Sequence, residues 1–154
     1  VRTEADELTY SFHVMIRYEI EKMIFAGEAE VKDLPAIWNR KYEEYLGVTP
    51  LSDTEGVLQD IHWAGGMFGY FPSYALGSAI AAQLFHHMER IMPIKKYLEE
   101  GNLTPIREYL REHIHQYGAA KKTQQILVDM TGEGFNPDYY ITYLTEKFTK
   151  LYEL

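Results

Sequence analysis

The sequence predicts an all-α protein, a multi-helix bundle of about six to seven helices with one irregular loop rich in aromatic residues and glycine. Three observations predict it. Apolar residues recur at i, i+3, i+4 and i+7 along most of the chain. Proline, glycine and capping residues fall at the ends of those periodic segments. No alternating polar–apolar run is convincing as a strand. At 154 residues, without a repeat, low-complexity tract or linker, residues 1–154 read as a single helical unit.

The first helix is expected from Glu4 to Ala26, capped by Thr3 with Asp6 three residues on. Leu8, Phe12, Met15, Ile16, Met23 and Ile24 hold helical spacing, and Gly27 stops it. Tyr10, Val14, Tyr18 and Phe25 add apolar surface on other faces, which suits a central helix. Asp33 caps the second helix, with Pro35 in its first turn and Gly47 past its end. Its buried face is Ile37, Trp38, Tyr42 and Tyr45 or Leu46. Ser52-Asp53-Thr54-Glu55 reads as a capping box that opens a helical turn or two. A third long helix starts near Ser73, and its small residues around Gly77 and Ala79 predict burial of its N-terminal half. Pro93 breaks it, and a shorter helix follows to Gly101. Thr104-Pro105 opens the next, where Ile106, Tyr109, Leu110, His113, Ile114 and Tyr117 keep helical spacing to Gly118. A further helix covers Ala119 to Met130, with Ile126, Leu127 and Met130 inward and Gly132 ending it. Asn136-Pro137 opens the last, which carries Tyr140, Leu144, Phe148 and Leu151.

Composition narrows the function classes. A net charge of −8 with scattered Lys and Arg argues against nucleic acid or an anionic membrane as partner. No apolar run approaches the roughly 20 residues that span a bilayer. The absence of cysteine excludes disulfides and thiolate chemistry, and suits a cytoplasmic protein. The chain opens on VRTEAD without Met and runs into a helix, an opening that suggests a fragment or processed product.

Chemistry concentrates in Gly56 to Tyr74, GVLQDIHWAGGMFGYFPSY. In an extended segment Asp60 and His62, two residues apart, point the same way. They then form an acid–imidazole pair, or His62 and Gln59 only satisfy buried backbone. Gly65, Gly66 and Gly69 serve a site loop or a plain turn. Tyr70 and Tyr74 either donate to a developing oxyanion or only pack their rings. Arg2 and Asp6, four apart, read as an ordinary ion pair, with a bidentate carboxylate ligand as the alternative for Arg2. His86 and His87 diverge on a helix, as do His113 and His115; His113 falls on an apolar stripe. His13 lies one turn from Arg17, which disfavours a cation there. No HExxH or other metal-ligand cluster occurs.

Taken together, VRTEADELTYSFHVMIRYEIE, DLPAIWNRKYEEYLGV and GVLQDIHWAGGMFGYFPSYALGSAIAAQ resemble the thermostable carboxypeptidase 1 (carboxypeptidase Taq) family of metallocarboxypeptidases. PIREYLREHIHQYGAAKKTQQILVDMTGEGF and YITYLTEKF extend the resemblance over essentially the whole chain. Gly56, Gln59, Asp60, His62 and Trp63 match its GxxQDxHW pattern. Val1, Arg2, Thr3, Ala5 and Asp6 match I(R)TxAD, with Val in place of Ile. The resemblance implies a mostly helical enzyme of about three times this length that removes C-terminal amino acids from peptides with a metal-activated water. This chain would be its C-terminal third. Zinc or a similar divalent metal would sit on an HExxH helix upstream, with none expected on these residues, and the isolated chain would be inactive. Arg2 would bind the substrate carboxylate. His62 with Tyr70 or Tyr74 would hold or polarise the scissile carbonyl, while Gln59 and Asp60 orient the loop. The implied partners are a peptide C-terminus, the missing N-terminal part and, as in many family members, a second copy in a homodimer. The alternative is a non-catalytic helical module that binds peptides or another protein.

Overall fold

Ile16 and Ile20, one turn apart on the first helix, are both fully buried against Trp38 of the second, and this pair of helices founds the first half of the chain. The computed structural model describes residues 1–154. Seven α-helices and no strand are present: α1 Tyr10–Phe25, α2 Leu34–Leu46, α3 Pro72–Ile91, α4 Ile94–Glu99, α5 Thr104–His113, α6 Thr123–Thr131 and α7 Asp138–Tyr152. Short 3₁₀ turns occupy Arg2–Glu4, Val31–Asp33 and His115–Tyr117. The all-α expectation holds. No helix is long and apolar enough to cross a membrane.

The chain divides into two compact units, Val1–Gly77 and Ser78–Leu154. In the first, α1 and α2 pack Ile16, Ile20, Leu34, Ile37, Trp38 and Tyr42 into one core, with Trp63 of the following loop against it. Each fully buried large side chain there contributes about 1.5–3 kcal/mol. In the second, Met88, Ile94 and Met130 form the core, flanked by Leu84, Ile106, Tyr109, Leu110 and Ile114. Gln83 of α3, 1% exposed, clamps the α6–α7 connection by donating to Gly134 O (2.9 Å) and accepting from Asn136 N (3.0 Å).

Several boundaries differ from expectation. α1 starts at Tyr10 rather than Glu4, because Ala5 is extended (φ −70°, ψ 141°) after the first 3₁₀ turn. Asp6 supplies the stop: its Oδ1 accepts from Thr9 N (2.8 Å) and its carbonyl from Tyr10 N (2.9 Å). Side chain–backbone bonds of this kind compete with helix at Asp. Asp33 precedes α2 without a side-chain cap, since the 3₁₀ turn already closes there. Ile114 (φ −129°) ends α5 before Tyr117, and α6 begins at Thr123, not Ala119. The small-residue half of α3 is not buried as expected. Ala79 alone among those residues is buried, and a Cβ on Gly77 would meet open space. His113 is half-buried rather than a core residue, stacked on Tyr109.

Candidate functional site

Beside its apolar stripe of Ile16 and Ile20, α1 turns a second, polar stripe inward that spacing does not suggest. His13, Arg17 and Glu21, successive turns of one face, are all buried, while Phe12 and Met15 are exposed. Buried polar groups need partners, and α2 and the connection after it supply them. His13 Nδ1 lies 3.0 Å from Tyr42 Oη on α2. Burial, and secondarily the charge of Arg17, lowers the His13 pKa to about 4, so the ring is neutral at pH 7.

Arg17 is wholly buried and binds the loop. Its Nε donates to Asp60 Oδ2 (2.6 Å), Nη2 to Gln59 Oε1 (2.9 Å) and Nη1 to His13 O (2.5 Å). Its guanidinium also lies 4.6 Å from the centre of the Trp38 ring, a cation–π contact. Arg2 takes the other carboxylate oxygen: Nε (3.0 Å) and Nη2 (2.8 Å) both donate to Asp60 Oδ1. Its Nη1 donates to Tyr10 Oη (3.1 Å) and its backbone N to Gln59 Oε1 (2.8 Å). The expected Arg2–Asp6 pair is therefore wrong. Asp6 is turned into its own backbone turn, and the carboxylate that Arg2 reaches is 58 residues away.

Burial alone would raise the Asp60 carboxyl, but Arg17 and Arg2 together hold it below the ordinary carboxylate range. For Arg2 the lowering by burial is outweighed by Asp60 and Tyr10, which raise it. Gln59 completes the frame, since its Nε2 donates to Glu55 O (2.7 Å) while its Oε1 serves both arginines.

Asp60 and His62 do face the same way, with exposed Ile61 between them turned out to solvent. His62 is 8% exposed; its Nε2 is 3.0 Å from Tyr74 Oη and its ring rests on Phe71 at 4.5 Å. Its Nδ1 lies 4.0 Å from Asp60 Oδ1, beyond hydrogen-bond reach, and is a buried nitrogen without a partner. Tyr70 stacks on His62 at 5.8 Å but stands half-exposed at the rim. Arg2 lies 4.8 Å over the Tyr74 ring. Thus Arg2, Gln59, Asp60, His62 and Tyr74 converge, and Tyr70 borders them.

Glu21 fixes the far end of the loop. Its two oxygens accept from Trp63 Nε1 (2.7 Å) and Gly69 N (2.9 Å). Gly69 presents that N–H at φ 74°, a conformation that disfavours a side chain, although space for a Cβ exists. Gly56 answers a different need, because a Cβ there would stand 3.1 Å from Ser52 O.

Residues 1–148 match the sequence profile of the Carboxypeptidase Taq (M32) metallopeptidase family. The chain belongs to that family. Carboxypeptidase 1 of Bacillus subtilis is 54% identical across 100% of this chain, and Thermostable carboxypeptidase 1 of Thermus thermophilus is 40% identical across 99%. The crystal structure of the M32 carboxypeptidase from Deinococcus radiodurans R1 superposes with a TM-score of 0.95 at 33% identity, covering 100% of this chain. The chain spans 31%, 30% and 31% of those three proteins respectively.

An M32 metallopeptidase implies a divalent metal, and the residues of this chain do not fit one. No group of three or more His, Asp or Glu is arranged to hold an ion. Asp60 is saturated by two arginines and His62 Nε2 faces a phenol. Spacing missed Arg17, Glu21 and His13 as site-building residues. A signal existed, since His13, Arg17 and Glu21, at i, i+4 and i+8, form a polar row alongside the Ile16, Ile20 and Ile24 row of α1.

Proposed function

We propose that this chain forms the substrate-side wall of the active-site cleft in an M32 metallocarboxypeptidase, which removes the C-terminal amino acid from peptides. One observation carries the reading: two guanidiniums share the single carboxylate of Asp60, a group of two cations and one anion beside His62 and Tyr74. Of the two, Arg2 is the one that reaches solvent, its side chain 11% exposed against 0% for Arg17. Asp60 and Tyr10 engage three of its five N–H groups, which leaves one on each terminal nitrogen for an incoming carboxylate. In this reading Arg2 holds the C-terminal carboxylate of the peptide, and Gln59 and Asp60 orient it. His62 and Tyr74 act on the scissile carbonyl, Tyr74 through the hydroxyl that meets His62, while Tyr70 walls the rim. The divalent ion, zinc or similar, is proposed to sit on residues outside these 154. A cytoplasmic location and homodimer assembly belong to the same proposal.

The experiment joins this chain to the remainder of the Bacillus subtilis carboxypeptidase 1. With added divalent metal, the 154-residue chain alone is expected to release nothing from blocked dipeptides, and the chimera to release their C-terminal residue. Arg2→Ala in the chimera is expected to raise KM by about a hundredfold, the scale of a lost charged hydrogen-bond pair. Turnover by the isolated chain, or an unchanged KM, would refute the reading.

A further inference from the structure

Arg17 cannot touch a substrate: it is 0% exposed, and its N–H groups go to Asp60, Gln59 and His13. Its position nonetheless sets the charge of the site. Arg2 and Asp60 alone would be a neutral pair with little attraction for an anion. Arg17 binds the second Asp60 oxygen and brings the cluster to two cations and one anion. Glu21, one turn along α1, bonds to Trp63 and Gly69 and to neither guanidinium, and burial keeps His13 neutral at pH 7. Phe71, 1% exposed, lies against both guanidiniums, its ring centre 5.9 Å from Arg2 and 5.4 Å from Arg17.

We infer that Arg17 is a positioning residue for carboxylate recognition: by occupying one oxygen of Asp60 it keeps the Arg2–Asp60 pair one positive charge in excess, so that Arg2 accepts an anion. The inference rests on the carboxylate-site reading above.

The test uses the 154-residue chain and two probes, N-acetyl-L-alanine and its uncharged amide N-acetyl-L-alaninamide, titrated by NMR. The wild type is expected to bind the acid about tenfold more tightly than the amide, and Arg2→Met to erase that preference. If either fails, the carboxylate-site reading falls and takes this inference with it. Arg17→Met is expected to bring the acid-to-amide ratio down to about one, since Asp60 then neutralises Arg2. Arg17→Met combined with Asp60→Asn is expected to restore the wild-type ratio, because the excess charge returns. A role for Arg17 in folding alone predicts no such rescue. An unchanged ratio in Arg17→Met, or a ratio of one in the double variant, overturns the inference while leaving the carboxylate site standing. Should Arg17→Met fail to fold by circular dichroism, the double variant decides alone.

Discussion

Residues Val1–Gly77 bury two histidines, an arginine and a glutamate, whereas Ser78–Leu154 bury one polar side chain, Gln83. The first unit has an apolar helix pair and uses the polar stripe of α1 as a rail on which an irregular loop is fastened at Gln59, Asp60, Trp63 and Gly69. The second has Met88, Ile94 and Met130 at its centre, and neither α5 nor α7 buries a residue fully. Buried charges are costly to assemble and contribute little net stability against an apolar equivalent. Their presence in one unit and absence from the other therefore mark where geometry, not stability, is being held. The two units should respond differently when a buried polar group is removed.

The largest effect is expected at Asp60. Asp60→Ala leaves Arg17 buried without a counter-ion and should destabilise the first unit by about 3–5 kcal/mol, measured by urea unfolding followed at Trp38 and Trp63. A cost under 1 kcal/mol would mean that the two arginines are not anchored by this carboxylate.

A smaller effect is expected from acid. His13 binds a proton in the unfolded chain below about pH 6.5 but in the fold only near 4. Stability should therefore fall as pH drops through that window, by roughly 2–3 kcal/mol, and His13→Gln should flatten the slope. Asp60 acts lower down. Its folded pKa is depressed, so its contribution is present above its unfolded value near 4 and is lost as pH falls through the folded one. An unchanged slope in His13→Gln would show that the ring is not held neutral.

The smallest effect is expected in the second unit. Gln83→Ala removes two hydrogen bonds between neutral groups and should cost about 1–2 kcal/mol. A cost equal to that of Asp60→Ala would erase the contrast between the units.

Much of the fold was legible because helix signals are local. Pro35, Gly47, Pro93, Gly132 and Pro137 stand at or beside observed helix ends. The start of α1 was not, because the Asp6 side chain outcompetes helix there and the expected Thr3 cap ignores that rivalry. The loop Gly56 to Tyr74 was legible as the candidate site through its crowding of acid, imidazole and phenols. Asp60 and His62 converge as an extended pair does, and the structure distinguishes Tyr74, bonded to His62, from Tyr70 at the rim.

The sequence by itself determined an all-α chain of six to seven helices, the loop between α2 and α3, and the residue types available for chemistry, since periodicity and capping act within a turn or two. Only the tertiary structure decided that Arg2 meets Asp60 rather than Asp6, that Arg17 shares that carboxylate, and that Glu21 ties down Trp63 and Gly69. Those contacts join residues 42 to 58 positions apart. A buried charge is tolerable only where the fold brings its partner, and no local pattern encodes that meeting.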